Sequence, residues 1–113
     1  MTIRIYHNPR CSKSRATLAL LEERGIEPDI VRYLDDPPSV EEIQSLLTLL
    51  DRSPGELARR GEDAWRELGL ADADDETILE AMASHPKLIE RPIVVNGDRA
   101  ALGRPPEAVL DIL

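Results

Sequence analysis

The chain of 113 residues has one cysteine, no phenylalanine, one tryptophan and two tyrosines. A single cysteine excludes an intramolecular disulfide and any metal site built on several thiolates. It also fits a reducing compartment. Without Phe the core must rest on Leu, Ile, Val and Ala. No apolar run is long enough to span a bilayer. The opening Met1-Thr2-Ile3-Arg4 reads straight into a strand, without the charged and apolar regions of a signal peptide. A cytoplasmic, soluble protein is expected, with no membrane role. The formal charge of −8 argues against nucleic acid as a partner. The length suits one domain with one core.

The acidity is not uniform. Arg4, Arg10, Lys13 and Arg15 stand in the first 21 residues with no Asp or Glu, giving +4 against −12 for the remainder. The only cysteine, Cys11, lies in that basic segment, in the run His7-Asn8-Pro9-Arg10-Cys11-Ser12-Lys13-Ser14-Arg15. A helix N-terminus and nearby positive charge both lower a thiol pKa, and Cys11 has both. A buried, inert thiol is the competing reading.

Residues 2–6 alternate as a strand, and Asn8-Pro9 breaks it. A helix is expected from Cys11 or Ser12 to Arg24, closed by Gly25. Residues 29–34 read as a second strand, ended by Asp35-Asp36-Pro37-Pro38. Ser39 and Glu42 form a capping box before Val40, Ile43, Leu46, Leu47 and Leu50 at helical spacing. Ser53-Pro54-Gly55-Glu56 is a second box, with a helix through about Arg60. Residues 62–68 suit another turn or two of helix, ended by Gly69. Asp74-Asp75-Glu76 opens a helix that ends before Pro86. Asp72, Asp74, Asp75 and Glu76 read as a solvated helix start, not a metal site, and no metal is expected. Trp65 reads as packing within this stretch.

Ile93-Val94-Val95 is a buried strand, Asn96-Gly97 a type I′ hairpin signal, and Arg99–Leu102 the returning strand. A last helix starts at Pro105 or Pro106, with Val109, Leu110 and Ile112 inward. The order is β–α–β, a set of helices, then β–β–α. This matches an α/β, thioredoxin-like fold: one domain over residues 1–113, with a mixed sheet and an all-helical insertion at about 39–86.

These motifs resemble a known family, the glutaredoxin- and glutathione-coupled arsenate reductases. IYHNPRCSKSR at 5–15 resembles the family's cysteine motif, in the form of its shorter CSKSR-bearing subgroup. RPIVV at 91–95 is similar to its cis-proline strand, LGRPPE at 102–107 to its last arginine motif, and ELARRGEDAWRELGL at 56–70 to its insert. The resemblance implies that Cys11 is the nucleophile and that Arg59, Arg91 and Arg104 hold the oxyanion, with Arg60 adjacent to the first. It implies a cis bond before Pro92. Asn8, Ser14 and His7 would support the site, His7 by stabilising the thiolate or by capping local backbone.

The implied chemistry is attack of the Cys11 thiolate on arsenate, followed by resolution to arsenite. With no second cysteine, glutathione must act as co-substrate and a glutaredoxin must resolve the mixed disulfide. No tightly bound cofactor is expected, and a monomer is. A phosphatase-type reductase needs Cys-x5-Arg, whereas Thr17 stands six residues after Cys11. Two alternatives keep the fold: a redox-responsive regulatory protein, and a general glutathione-linked thiol oxidoreductase.

Overall fold

The computed structural model describes residues 2–113. They form two compact units, one of residues 2–36 with Arg91–Leu113 and one of Pro37–Glu90. The first holds β1 (Ile3–Tyr6), α1 (Ser12–Glu23), β2 (Asp29–Val31), β3 (Ile93–Asn96), β4 (Arg99–Leu102) and a terminal 3₁₀ segment, Pro106–Ile112. The second holds α2 (Val40–Leu50), α3 (Pro54–Leu57), α4 (Asp63–Glu67), α5 (Asp75–Ser84) and two short 3₁₀ turns.

The sheet order is β2-β1-β3-β4. β1 and β2 run parallel, with Ile5 opposite Ile30. β3 is antiparallel to both β1 and β4, with Ile5 opposite Val94 and Ile93 opposite Leu102. A parallel βαβ half joined to an antiparallel hairpin is the thioredoxin-like arrangement that the element order predicts. Ile5, Leu21, Val94, Val109 and Ile112 make the core, flanked by Ile3, Leu18, Ile26 and Ala101. That cluster is aliphatic, and Tyr6 and Tyr33 are also buried.

α1 stops where glycine permits. Gly25 has φ +74°, its N–H bonds to Glu22 O at 3.0 Å, and Ile26 N–H bonds to Leu21 O at 3.0 Å. This is a Schellman cap, with Ile26 and Leu21 as its apolar pair in the core. α2 begins as the capping-box sequence predicts, Glu42 N–H donating to Ser39 Oγ at 3.1 Å. Its end repeats the cap geometry with Asp51 at φ +55° in place of glycine, Arg52 N–H bonding to Leu47 O at 3.1 Å. The Ser53 box closes in both directions.

Several expected boundaries move. β2 ends at Val31, not residue 34, because residues 32–35 turn: Asp35 and Asp36 N–H both bond to Arg32 O. α3 ends at Leu57 rather than near Arg60, because Ala58 pairs with Ile89 as an antiparallel bridge. The last helix is 3₁₀ in form, and Leu110 is only half-buried beside buried Val109 and Ile112. The hairpin is not type I′. Asn96 pairs with Arg99, so Gly97-Asp98 are the loop residues. Only Gly97 has positive φ (+63°), the pattern of a II′ turn rather than the two positive angles of I′.

The charge divides with the units. Residues up to 36 and from 91 carry nine basic and nine acidic side chains, whereas residues 37–90 carry five and thirteen. The whole formal charge of −8 therefore belongs to the helical unit.

Candidate active site

Cys11 is the N-cap of α1, with φ −95° and ψ 124°. The turn that delivers it is built by Asn8. Cys11 N–H bonds to Asn8 O at 3.0 Å, and Arg10 N–H bonds to the Asn8 side-chain oxygen at 3.0 Å. Arg15 reaches back to Pro9 O at 3.1 Å. Arg15 N–H also bonds to Cys11 O at 3.0 Å, which starts the helix. Asn8 thus holds the loop, and the exposed Arg10 contributes its backbone there.

The thiol is buried, and burial disfavours a thiolate. The N–H groups of Ser14 and Lys13, the charge of Arg91 and a hydrogen bond from the Arg91 side chain oppose it. Together they place the Cys11 pKa below the ordinary thiol value. The sulfur occupies the position from which N-cap side chains normally accept bonds from the first turn, where an anion is favoured. A thiolate favoured in this way is a nucleophile.

His7 and Ser14 act as a pair. His7 Nδ1 and Ser14 Oγ lie 2.6 Å apart in a buried bond, and Asn8 N–H donates to the same hydroxyl at 3.0 Å. Ser14 therefore ties the strand–helix loop to the first turn of α1. His7 is buried, and burial followed by the charges of Arg32 and Arg15 lowers its pKa. It stands as a neutral imidazole at neutral pH. Its bond goes to the Ser14 side chain and not to local backbone.

Arg91 and Arg104 flank the hairpin. Both precede proline, and both Arg–Pro bonds are cis. The bond before Pro92 is the expected one, and the bond before Pro105 is a second. Gly103 N–H bonds to Pro92 O at 2.9 Å, and Arg104 Nη1 donates to Arg91 O at 3.2 Å. The structure thus brings Arg91 to Cys11 and ties Arg104 to Arg91. Gly103 is tightly enclosed beside this bond. A Cβ there would overlap Thr17 Oγ1 and lie 2.7 Å from Pro92 Cγ.

Arg59 lies in the helical unit. Its Nη1 is 2.6 Å from Glu62 Oε1, its Nε 3.9 Å from Glu90 Oε1, and its N–H bonds to Leu88 O at 2.7 Å. Arg60 is engaged otherwise. Its guanidinium bonds twice to Gly55 O and lies 5.6 Å from the Trp65 ring centroid, a cation–π contact. Of the adjacent pair, Arg60 clips its own loop and packs Trp65.

Residues 6–112 match the ArsC family. The chain belongs to the ArsC family. It is 51% identical over 114 residues to YfgD of Escherichia coli K12, described as an uncharacterized protein, covering 98% of this chain and 96% of that one. It is 47% identical to a protein of Haemophilus influenzae named arsenate reductase, with both chains fully covered. A solved structure described as arsenate reductase from Vibrio cholerae superposes with a TM-score of 0.97 at 52% identity, covering 100% of this chain and 98% of that one. Among the described residues of this ArsC-family chain no three His, Cys, Asp or Glu side chains cluster as a metal site. No helix there is long and apolar enough to cross a membrane.

Proposed function

We propose that this chain is an arsenate reductase that uses glutathione as co-substrate and is recycled by a glutaredoxin. One observation carries the reading: the only cysteine caps α1 with its thiolate favoured by Arg91, in a chain 47% identical along its whole length to a protein named arsenate reductase.

Arsenate is a tetrahedral oxyanion, and planar guanidinium groups bind such oxygens in pairs. The effect of Arg91 on the Cys11 pKa supports this role for it. Arg104 and Arg59 are proposed to complete the oxyanion set, Arg59 exchanging its Glu62 partner for the substrate. The Cys11 thiolate attacks arsenic, forms an S–As bond and releases one oxygen as hydroxide, which leaves as water after protonation. Arsenic is still As(V) in that adduct. The two electrons that take it to As(III) come from two thiols, which end as a disulfide. Cys11 supplies one sulfur at most, so the second comes from glutathione. Glutaredoxin then exchanges with the mixed disulfide and frees Cys11. Overall, one dihydrogen arsenate, two glutathione molecules and a proton give arsenous acid, glutathione disulfide and water.

The test is arsenite formation from arsenate with glutathione and a glutaredoxin, in wild type and Cys11→Ser. Cysteine-dependent turnover is expected, with none above background in the variant. Equal turnover in the folded variant refutes the mechanism, and no turnover in wild type across several glutaredoxins refutes the substrate. A test with a glutathione mixed disulfide and no arsenate separates this reading from a general thiol oxidoreductase.

A further inference from the structure

Arg59 is fixed along its backbone and engaged at its head. Its N–H bonds to Leu88 O at 2.7 Å, and Ala58 before it pairs with Ile89. Glu62 N–H bonds back to Arg59 O at 3.2 Å, which closes a four-residue turn. The same two residues meet again through their side chains, Arg59 Nη1 lying 2.6 Å from Glu62 Oε1. Glu62 is the N-cap of α4, yet its side chain makes no cap bond; its carboxylate goes to Arg59 instead. On the other side Glu90 Oε1 lies 3.9 Å from Arg59 Nε. A guanidinium offers two paired N–H edges, Nη1 with Nη2 and Nε with Nη2. Each edge of Arg59 therefore has a carboxylate at one of its nitrogens. These are the edges an oxyanion would take.

We propose that Glu62 is a built-in competitor for the oxyanion: its carboxylate occupies Arg59 in the free protein and sets the affinity with which Arg59 takes an anion. The inference rests on Arg59 being an oxyanion ligand, as proposed above, and adds the residue that tunes it. Competition of this kind weakens every anion that uses Arg59 by one common factor, since each must displace the same carboxylate. The pair is part-exposed, at 29% and 28%, so its strength is that of a surface ion pair. Its loss should therefore tighten anion binding about two- to five-fold. The alternative role, in which Glu62 holds Arg59 ready for the anion, has the opposite sign.

The experiment is calorimetric titration of the intact protein, in buffer without thiols, with arsenate and with sulfate, a tetrahedral oxyanion that thiols do not reduce. The variants are Glu62→Gln, Arg59→Met, the pair, and Asp63→Asn. Gln keeps the size of Glu62 and no cap bond is lost with it, so the variant should fold. Glu62→Gln should lower both dissociation constants by the same factor, about two- to five-fold. Arg59→Met should raise them, and adding Glu62→Gln to it should then change nothing, the non-additivity of two residues that act on each other. Asp63 pairs with Arg66, and Asp63→Asn, which removes the same charge one residue away, should leave both constants unchanged. Affinity that is unchanged or weakened in Glu62→Gln overturns the inference and leaves Arg59 as a ligand. An equal gain from Asp63→Asn, or a gain that persists without Arg59, assigns the effect to bulk charge and also overturns it. Wild-type affinity in Arg59→Met, or no binding by any of the proteins, refutes the oxyanion reading of Arg59 itself, and the inference falls with it.

Discussion

Replacing Gly103 by alanine should destabilise the protein by about 2–4 kcal/mol, by overpacking and by loss of a part-buried hydrogen bond. The added Cβ would overlap Thr17 Oγ1 and sit 2.7 Å from Pro92 Cγ and 3.1 Å from Thr17 Cγ2. Neither neighbour yields easily. Thr17 is fully buried, and its hydroxyl donates to Lys13 O at 2.9 Å. Rotating it away breaks that bond, which is worth about 0.5–1.5 kcal/mol net. Pro92 is a buried ring without a rotatable side chain. The remaining relief is a backbone shift of Gly103 away from Pro92 O, which weakens the ladder's last bond. Overpacking alone typically costs about 1–3 kcal/mol.

The assay is urea unfolding followed by circular dichroism, comparing wild type, Gly103→Ala, Thr17→Ala and the pair. Gly103→Ala should lower the midpoint, and the double variant should be less destabilised than the two single costs added together. That non-additivity marks a direct contact. A cost below about 0.5 kcal/mol, the range of ordinary surface substitutions, would refute the packing argument.

Two further outcomes follow from the same geometry. The His7 pKa is depressed by burial and by Arg32 and Arg15, so the unfolded chain takes up its proton first as pH falls. Its contribution is complete above about pH 6.5, the ordinary imidazole value, and is lost as pH drops through the folded value. Urea midpoints between pH 8 and pH 5 should therefore fall less steeply in His7→Gln, and an identical slope would remove His7 from the account. Ser39→Ala should cost about 1 kcal/mol through loss of the α2 cap, which thermal unfolding would show; no change would mean the exposed bond from Glu42 N–H is replaced by water.

The sequence carried the placement of Cys11 at the start of α1 better than the packing around it. Cys11 is legible because a lone thiol in a basic run at a strand–helix junction has few uses. The Ser39 and Ser53 caps are legible because hydroxyl and carboxylate stand at fixed spacing. Gly103 is not, since its φ is ordinary and its need is for a close approach between residues 86 and 11 positions away in the chain, Thr17 and Pro92. The early end of α3 escaped for the same reason: Ala58 leaves the helix to pair with Ile89, and local propensity cannot report a distant partner. The hairpin turn misled differently. Asn-Gly is a strong local signal, but pairing of Asn96 with Arg99 set the register and moved the turn by one residue.

A thiol whose pKa is lowered in a chain of net charge −8 poses an electrostatic question that the scale of the forces resolves. Charges in water are largely screened beyond about 8 Å at physiological ionic strength, whereas a unit charge pair at 4 Å is worth about 4 kcal/mol at an effective dielectric of about 20. Contacts therefore outweigh bulk charge. In the sheet unit the nine acids and nine bases cancel, so the total does not lower the Cys11 pKa. What lowers it are two N–H groups of the first turn and one arginine. The N–H groups come with the helix and need only that Cys11 be the N-cap. The arginine comes from the far end of the chain and needs the β1–β3 pairing to bring it there. The fold's contribution to the Cys11 pKa is that one long-range juxtaposition.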